Sequence, residues 1–151
     1  MTKPANIVVI TSKYNEQVTH RLYQSACDVW QSHFKQPEKP VSFWVPGAVE
    51  LPLTAKWAIE KLAPQAVVCL GAVIRGETAH FDFVCQQVSH GCMEISLKTG
   101  VPVIFGVLTV DTFDQALQRT GGAAGDHGSH AMHSAIDMLA NKTFMERMKG
   151  E

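Results

Sequence analysis

Hydrophobic residues along this chain fall alternately into short unbroken runs and into helical stripes. Residues 7–11, Ile-Val-Val-Ile-Thr, form the first run; Val18, Leu22, Ala26 and Val29 then recur at the spacing of one helix face behind Asn15, a residue type suited to an N-cap. Together they predict one βα unit. Residues 41–45 read as a second strand, Pro46-Gly47 as a turn, and Pro52 as a first-turn residue of a helix running towards Leu62. The third strand, 66–74, precedes the clearest helix of the chain. There Phe81, Val84, Cys85, Val88, Cys92 and Ile95 make one stripe that stops at Gly100 and Pro102. Residues 103–109 predict a fourth strand. Thr112 and Gln115 have the spacing of a capping box for a helix ending near Gly121-Gly122, and a last helix is expected over 129–148.

Four strands, each followed by a helix and joined by right-handed crossovers, specify a parallel sheet with helices on both faces. The expected fold is α/β: a three-layer α/β/α sandwich around a four-stranded parallel sheet, of the flavodoxin-like class. With 151 residues, 46% hydrophobic and 18% charged, the chain suits one domain over 1–151 that buries roughly two-thirds of its unfolded surface. A net charge of −1, from 13 basic and 14 acidic residues, offers no footprint for nucleic acid and no electrostatic membrane anchor. The first apolar run is too short for a signal-peptide core or a membrane span, so a cytoplasmic location is expected. Cys27, Cys69, Cys85 and Cys92 contain no Cys-x-x-Cys pair, and a disulfide framework is not expected. Cys85 and Cys92 fall on one helix face among apolar neighbours and read as core packing. Neither a Gly-x-Gly-x-x-Gly nor a Walker A pattern occurs, which removes the usual support for dinucleotide or nucleoside-triphosphate binding.

Polar residues collect where the predicted strands end. Tyr14 and Asn15 follow the first, Gly47 to Glu50 the second, Arg75 to His80 the third, and Arg119 lies beyond the fourth. In an open parallel sheet these positions share one edge, where ligands bind. A tyrosine ring can stack on a planar heterocycle, backbone at Gly47 and Ala48 can approach it closely, and Glu50 can accept hydrogen bonds from hydroxyls. The turn into the third helix offers free backbone N–H groups to an anion, with Gly76 permitting close approach and His80 adding an imidazole. Such a set suits a heteroaromatic ligand bearing a polyol, together with a phosphate.

Three segments carry a family resemblance. Residues 46–52 (Pro-Gly-Ala-Val-Glu-Leu-Pro), 71–80 (Gly-Ala-Val-Ile-Arg-Gly-Glu-Thr-Ala-His) and 102–109 (Pro-Val-Ile-Phe-Gly-Val-Leu-Thr), followed by Gln118-Arg119 and a glycine-rich stretch, resemble the lumazine synthases in that order. The resemblance covers nearly the whole chain. It implies condensation of 5-amino-6-(D-ribitylamino)uracil with 3,4-dihydroxy-2-butanone 4-phosphate to give 6,7-dimethyl-8-ribityllumazine, with release of water and phosphate, the penultimate step of riboflavin biosynthesis. It also implies that no metal and no organic cofactor take part, which leaves positioning, proton transfer and electrostatics to the protein.

Residue by residue, His80 matches the family's proton-transfer histidine, a side-chain type that titrates near neutral pH. Arg119 matches the phosphate-binding arginine, and the amides of Gly76, Glu77 and Thr78, with the Thr78 hydroxyl, match the phosphate cradle. The Glu77 carboxylate would repel phosphate unless turned outwards, so this position is assigned through its amide. Tyr14 matches the stacking aromatic with Asn15 beside it; Gly47, Ala48, Val49 and Glu50 match the ribityl-binding segment, and Val73 and Ile74 would present backbone to the pyrimidine. Phe105 matches an aromatic supplied by a neighbouring subunit. The implied partners are therefore small-molecule substrates and further copies of the chain, with the active site at the subunit interface. The implied assembly is a homopentamer, with decamers and sixty-subunit icosahedral shells as further states, and riboflavin synthase is a candidate partner. The short segment before the first strand points towards the smaller assemblies.

The chain departs from the family where many members carry two lysines, at Ala123 and His127, with His127 left to contact substrate by hydrogen bonding. His127, His130 and His133 do not make a standard metal set: successive threes on a helix turn by about 60°, and no cysteine or carboxylate completes them. Two other readings stay open at this point. A binding protein could hold a flavin or lumazine without turnover, but it would be expected to lose His80, Arg119 or Glu50, and all three are present. An enzyme of phosphosugar chemistry would bind the four-carbon phosphate and ignore the pyrimidine.

Overall fold

A computed structural model describes residues 7–148. The elements are β1 (Ile7–Ser12), α1 (Glu16–Phe34), β2 (Ser42–Val45), α2 (Leu51–Leu62), β3 (Ala66–Ile74), α3 (His80–Thr99) and β4 (Val103–Val110), then α4 (Phe113–Gln118), β5 (Thr120–Gly122), β6 (Gly125–Asp126) and α5 (His127–Met148). A single 3-10 turn, Ala48–Glu50, leads into α2. The main sheet has the order β2-β1-β3-β4 and all its pairings are parallel. The expected three-layer architecture is what these elements form.

The period-two side-chain alternation of the central strands builds two cores. Ile7 and Val9 of β1, with Val68, Leu70 and Ala72 of β3, face Val18, Leu22 and Ala26 of α1 and Ala131, Met132 and Ala135 of α5. Val8 and Ile10 of β1 and Val67 and Cys69 of β3 face the other way, onto Leu51 and Ala55 of α2 and Val88 and Cys92 of α3. Because β1 and β3 are buried on both faces, they read as unbroken apolar runs rather than as alternating ones. The thiols of Cys69 and Cys92 meet in the second core, and their hydrogen bonding, followed by burial, raises the Cys69 thiol well above its usual range. Cys85 is only half-buried, so the stripe on α3 is narrower than its spacing suggests.

Four details differ from expectation. Asn15 does not cap α1 through its side chain; it adopts a left-handed backbone at φ 62°, and its Nδ2 donates to the Ala72 carbonyl at 2.9 Å, tying the end of β1 to the end of β3. The Thr112–Gln115 capping box is present, but α4 stops at Gln118. The following glycines form a short antiparallel hairpin, β5 and β6, in place of a loop, with Gly121 and Gly125 at φ 103° and 94°. Helix α5 starts at His127, two residues before the expected 129, because Asp126 Oδ1 accepts the Ser129 N–H at 3.2 Å. Among the described residues no helix is long and apolar enough to cross a membrane.

The strand order places a topological switch point between β1 and β3: the chain leaves β1 for β2 on one side and returns past it to β3 on the other. A crevice outside the carboxyl ends of these two strands is the general ligand position in such sheets.

Candidate active site

A cavity of about 580 Å³ opens at that switch point. Tyr14 and Asn15 enter it from the end of β1, and Gly47, Ala48 and Val49 from the turn after β2. Ala72, Val73 and Ile74 form its floor at the end of β3, and Gly76, Thr78 and His80 border it from the junction with α3. Tyr14 is 73% exposed, so one face of its ring is free to meet a planar ligand. The junction has an uncapped start: α3 begins after Ala79 without a side-chain cap, and the one side-chain acceptor near its first amides is Thr78 Oγ1, 3.3 Å from the His80 nitrogen. An uncapped helix start beside a cavity is a position where an anion finds N–H donors.

Glu50 does not itself line the cavity but lies next to Gly47, which does. Its Oε2 is buried without a hydrogen-bond partner and lies 3.5 Å from where a Cβ on Gly47 would sit. A carboxylate oxygen taken out of water and left unpaired is costly, and the cost is relieved when a ligand brings a hydroxyl donor.

Helix α3 adds residues that sequence reasoning assigned to the core or did not assign. Phe81, Phe83, Val84 and Gln87 also line the cavity. The positions 80, 83, 84 and 87 fall on one helix face, a spacing counted from His80 that could have identified them. A wider, open groove of about 750 Å³ continues along the outer side of α3 past His90 and Met93, sharing Phe83 and Gln87 with the cavity. The smaller cavity is the better site because its polar groups converge from four segments, whereas the groove is lined by α3 alone.

Five residues named from the sequence do not line the cavity of their own chain, Glu50 behind Gly47 being one. Glu77 is exposed at the α3 junction, outside the cavity lining. Phe105 projects from β4, an edge strand of the sheet, and is 39% exposed. Arg119 caps the end of α4, where its Nη1 donates to the Gln115 carbonyl at 2.9 Å, and its own carbonyl accepts the His127 N–H at 2.9 Å. Arg119 and His127 are therefore neighbours at the hairpin, which packs against α1 and α5. The rings of His127 and His130 lie 5.6 Å apart there.

A parallel α/β sheet whose switch-point cavity joins a free aromatic face and a histidine at an open helix start, with an unpaired carboxylate behind its Gly47 wall, is the arrangement of an enzyme of small-molecule chemistry. The family model for 6,7-dimethyl-8-ribityllumazine synthase matches residues 4–143. The 6,7-dimethyl-8-ribityllumazine synthases of Coxiella burnetii strains CbuG_Q212 and RSA 493 / Nine Mile phase I are each 44% identical to the chain over 133 residues, 88% of either protein. That of strain Dugway 5J108-111 has the same identity and coverage. The chain belongs to the 6,7-dimethyl-8-ribityllumazine synthase family, condensing enzymes of riboflavin biosynthesis.

Proposed function

We propose that the switch-point cavity performs the condensation of 5-amino-6-(D-ribitylamino)uracil with 3,4-dihydroxy-2-butanone 4-phosphate, and that two copies of the chain build each site. The observation that carries the residue assignment is the free Tyr14 face in the cavity together with the unpaired Glu50 oxygen next to the cavity's Gly47: the first suits a pyrimidine ring, the second a ribityl hydroxyl. Val73 and Ile74 run alongside as backbone contacts for the ring, and Asn15 holds the β1 turn against β3. The phosphate takes the uncapped α3 start at Gly76, Glu77 and Thr78.

The chemistry then needs few groups. The 5-amino group of the pyrimidine attacks the ketone and loses water to form an imine, phosphate leaves from the four-carbon unit, and the ribityl-bearing nitrogen closes the ring with loss of a second water. Each step moves protons between nitrogen, oxygen and carbon. His80, at the cavity edge, is the group placed to shuttle them, a role worth roughly a hundredfold or more in rate. Holding both substrates in one cavity supplies the remainder by proximity.

Phe105, Arg119 and His127 come from a second copy in this reading. They are absent from their own chain's cavity, and a closed ring presents the same surface of each subunit to the next. The apolar side chains left outside the two cores on α2 and α3, Leu53, Trp57, Phe83 and Leu97, are between 51% and 78% exposed and give such a ring something to cover. The assembly is taken as a homopentamer, with decamers or sixty-subunit shells as larger forms. The same reading takes the reaction to be cytoplasmic, with riboflavin synthase as an associated enzyme.

Mixing the purified protein with both substrates and following dimethylribityllumazine by absorbance tests the function; formation faster than in a protein-free control is expected. His80→Ala is expected to slow turnover roughly a hundredfold with the assembly intact. A variant that instead falls to monomers with unchanged rate per folded subunit makes His80 a structural residue.

A further inference from the structure

The side chain of Arg75 connects three elements that meet at the cavity rim. Its backbone N–H still belongs to the sheet, donating to the Val110 carbonyl at 2.8 Å, while the side chain turns back over the start of α3. Nε donates to Asp111 Oδ1 at 2.8 Å, Nη1 stands 3.6 Å from Asp82 Oδ1, and the guanidinium carbon lies 4.4 Å from the centre of the Phe81 ring. Phe81 and Asp82 are the two residues directly after His80. Asp111 is itself held, since its N–H donates to Gln115 Oε1 at 2.8 Å within the capping box of α4.

His80 has little else to orient it. The four residues between Arg75 and His80 are all exposed and belong to no helix or strand, and α3 starts without a side-chain cap. The first turn of α3 is anchored by the buried Phe81 ring, and the guanidinium closes over that ring from outside. We infer that Arg75 is a positioning residue for proton transfer, a brace that orients His80 by clamping Phe81 and Asp82 to Asp111. The inference rests on the assignment of proton transfer to His80. Hydrogen bonding to Asp111 also holds the guanidinium proton more tightly than usual, in keeping with a permanent clamp.

The geometry requires arginine rather than any cation. A planar guanidinium donates through Nε to one carboxylate, leans Nη1 towards a second and stacks on a ring at once; an ammonium has no plane to stack and one point of charge. A displacement of the order of 1 Å in a catalytic group costs on the order of a hundredfold in rate, so a loosened brace shows in kcat before it shows in binding.

The test compares Arg75→Ala, Arg75→Lys and Asp111→Asn with the wild-type protein as assembled. Arg75→Ala is expected to lower kcat by about tenfold or more while KM for each substrate moves by less than about threefold, and Arg75→Lys is expected to stay within about threefold of Arg75→Ala. Asp111→Asn, which leaves the arginine and the sheet in place, lowers kcat in the same direction and covers the case in which an Arg75 variant does not assemble. Hydrogen exchange over residues 76–83 provides a readout independent of turnover, with faster exchange expected in all three variants. Wild-type kcat and wild-type exchange in Arg75→Ala or Asp111→Asn overturn the brace, and full rescue by lysine overturns the stacking argument. If the wild-type protein forms no lumazine, the assignment of the reaction fails, and the exchange data still judge the brace.

Discussion

At the scale of single residues, the proposed site draws on a polar atom that the fold leaves unpaired. Glu50 carries it: its backbone carbonyl accepts from Thr54 Oγ1 at 2.8 Å, while its buried side-chain Oε2 has no partner. Replacing it removes both a ligand acceptor and a cost of the empty fold. Glu50→Leu is therefore expected to weaken binding of the ribitylaminopyrimidine by roughly tenfold to a hundredfold, the range of a charge-assisted hydrogen bond, while thermal stability holds or rises. Calorimetric titration with a melting curve measures both, and unchanged affinity with lower stability would make Glu50 a structural residue. Residue types at this scale were largely legible in the sequence: Tyr14, the 47–49 turn, Gly76, Thr78 and His80 all reach one cavity. What was not legible was which donor meets which acceptor. Asn15 has the residue type of a cap, but its side chain spends its hydrogen bond on Ala72, a partner chosen by the tertiary fold.

At the scale of elements, the two cores are set by how closely helices approach. Gly128 lies where α5 crosses α1, and a Cβ there would run into the Leu22 carbonyl and come within 2.8 Å of its Cα. Gly91 stands similarly at the α2–α3 contact, where a Cβ would lie 2.8 Å from Pro52. Backbone cannot yield as a flexible side chain can. Gly128→Ala is expected to destabilise the protein by about 1–3 kcal/mol, read as a lower denaturant midpoint at unchanged slope. An unchanged midpoint would mean that α1 and α5 separate freely. The four strands and the long helices were legible because each carries a sustained period. The β5–β6 hairpin was not, because its strands of three and two residues are too short for any period, and its path depends on positive-φ glycines within the strands and on Ala123 and Ala124 N–H groups donating to Gln118. Helix α4 was expected to extend to the glycines for the same reason.

At the scale of the whole molecule, one chain presents half of what its sequence promises. Tyr14, Glu50 and His80 gather around or beside the switch-point cavity, while Phe105 lies on an edge strand and Arg119 and His127 lie at the hairpin. Sequence can name both halves, because residue type and motif survive without geometry, but apart from the family resemblance it has no means of saying whether they meet within a chain or between chains. That depends on the faces left apolar by packing, such as Trp57 and Leu97. Arg119→Ala is accordingly expected to raise KM for the butanone phosphate far more than it weakens pyrimidine binding, and to do so in the neighbour's site. Equal losses for both ligands in steady-state kinetics would remove the phosphate role.

The division of the site between copies is tested most directly by mixing two crippled variants. His80→Ala and Arg119→Ala subunits would be co-refolded in equal amounts and assayed for dimethylribityllumazine formation at butanone phosphate well below the raised KM of Arg119→Ala, where each variant alone is nearly inactive. In a closed ring filled at random, about a quarter of sites pair an intact His80 with an intact Arg119 from the next subunit, so recovery to roughly a quarter of wild-type activity is expected. Mixed assemblies no more active than the separate variants would show that each chain completes its own site, and would contradict the account.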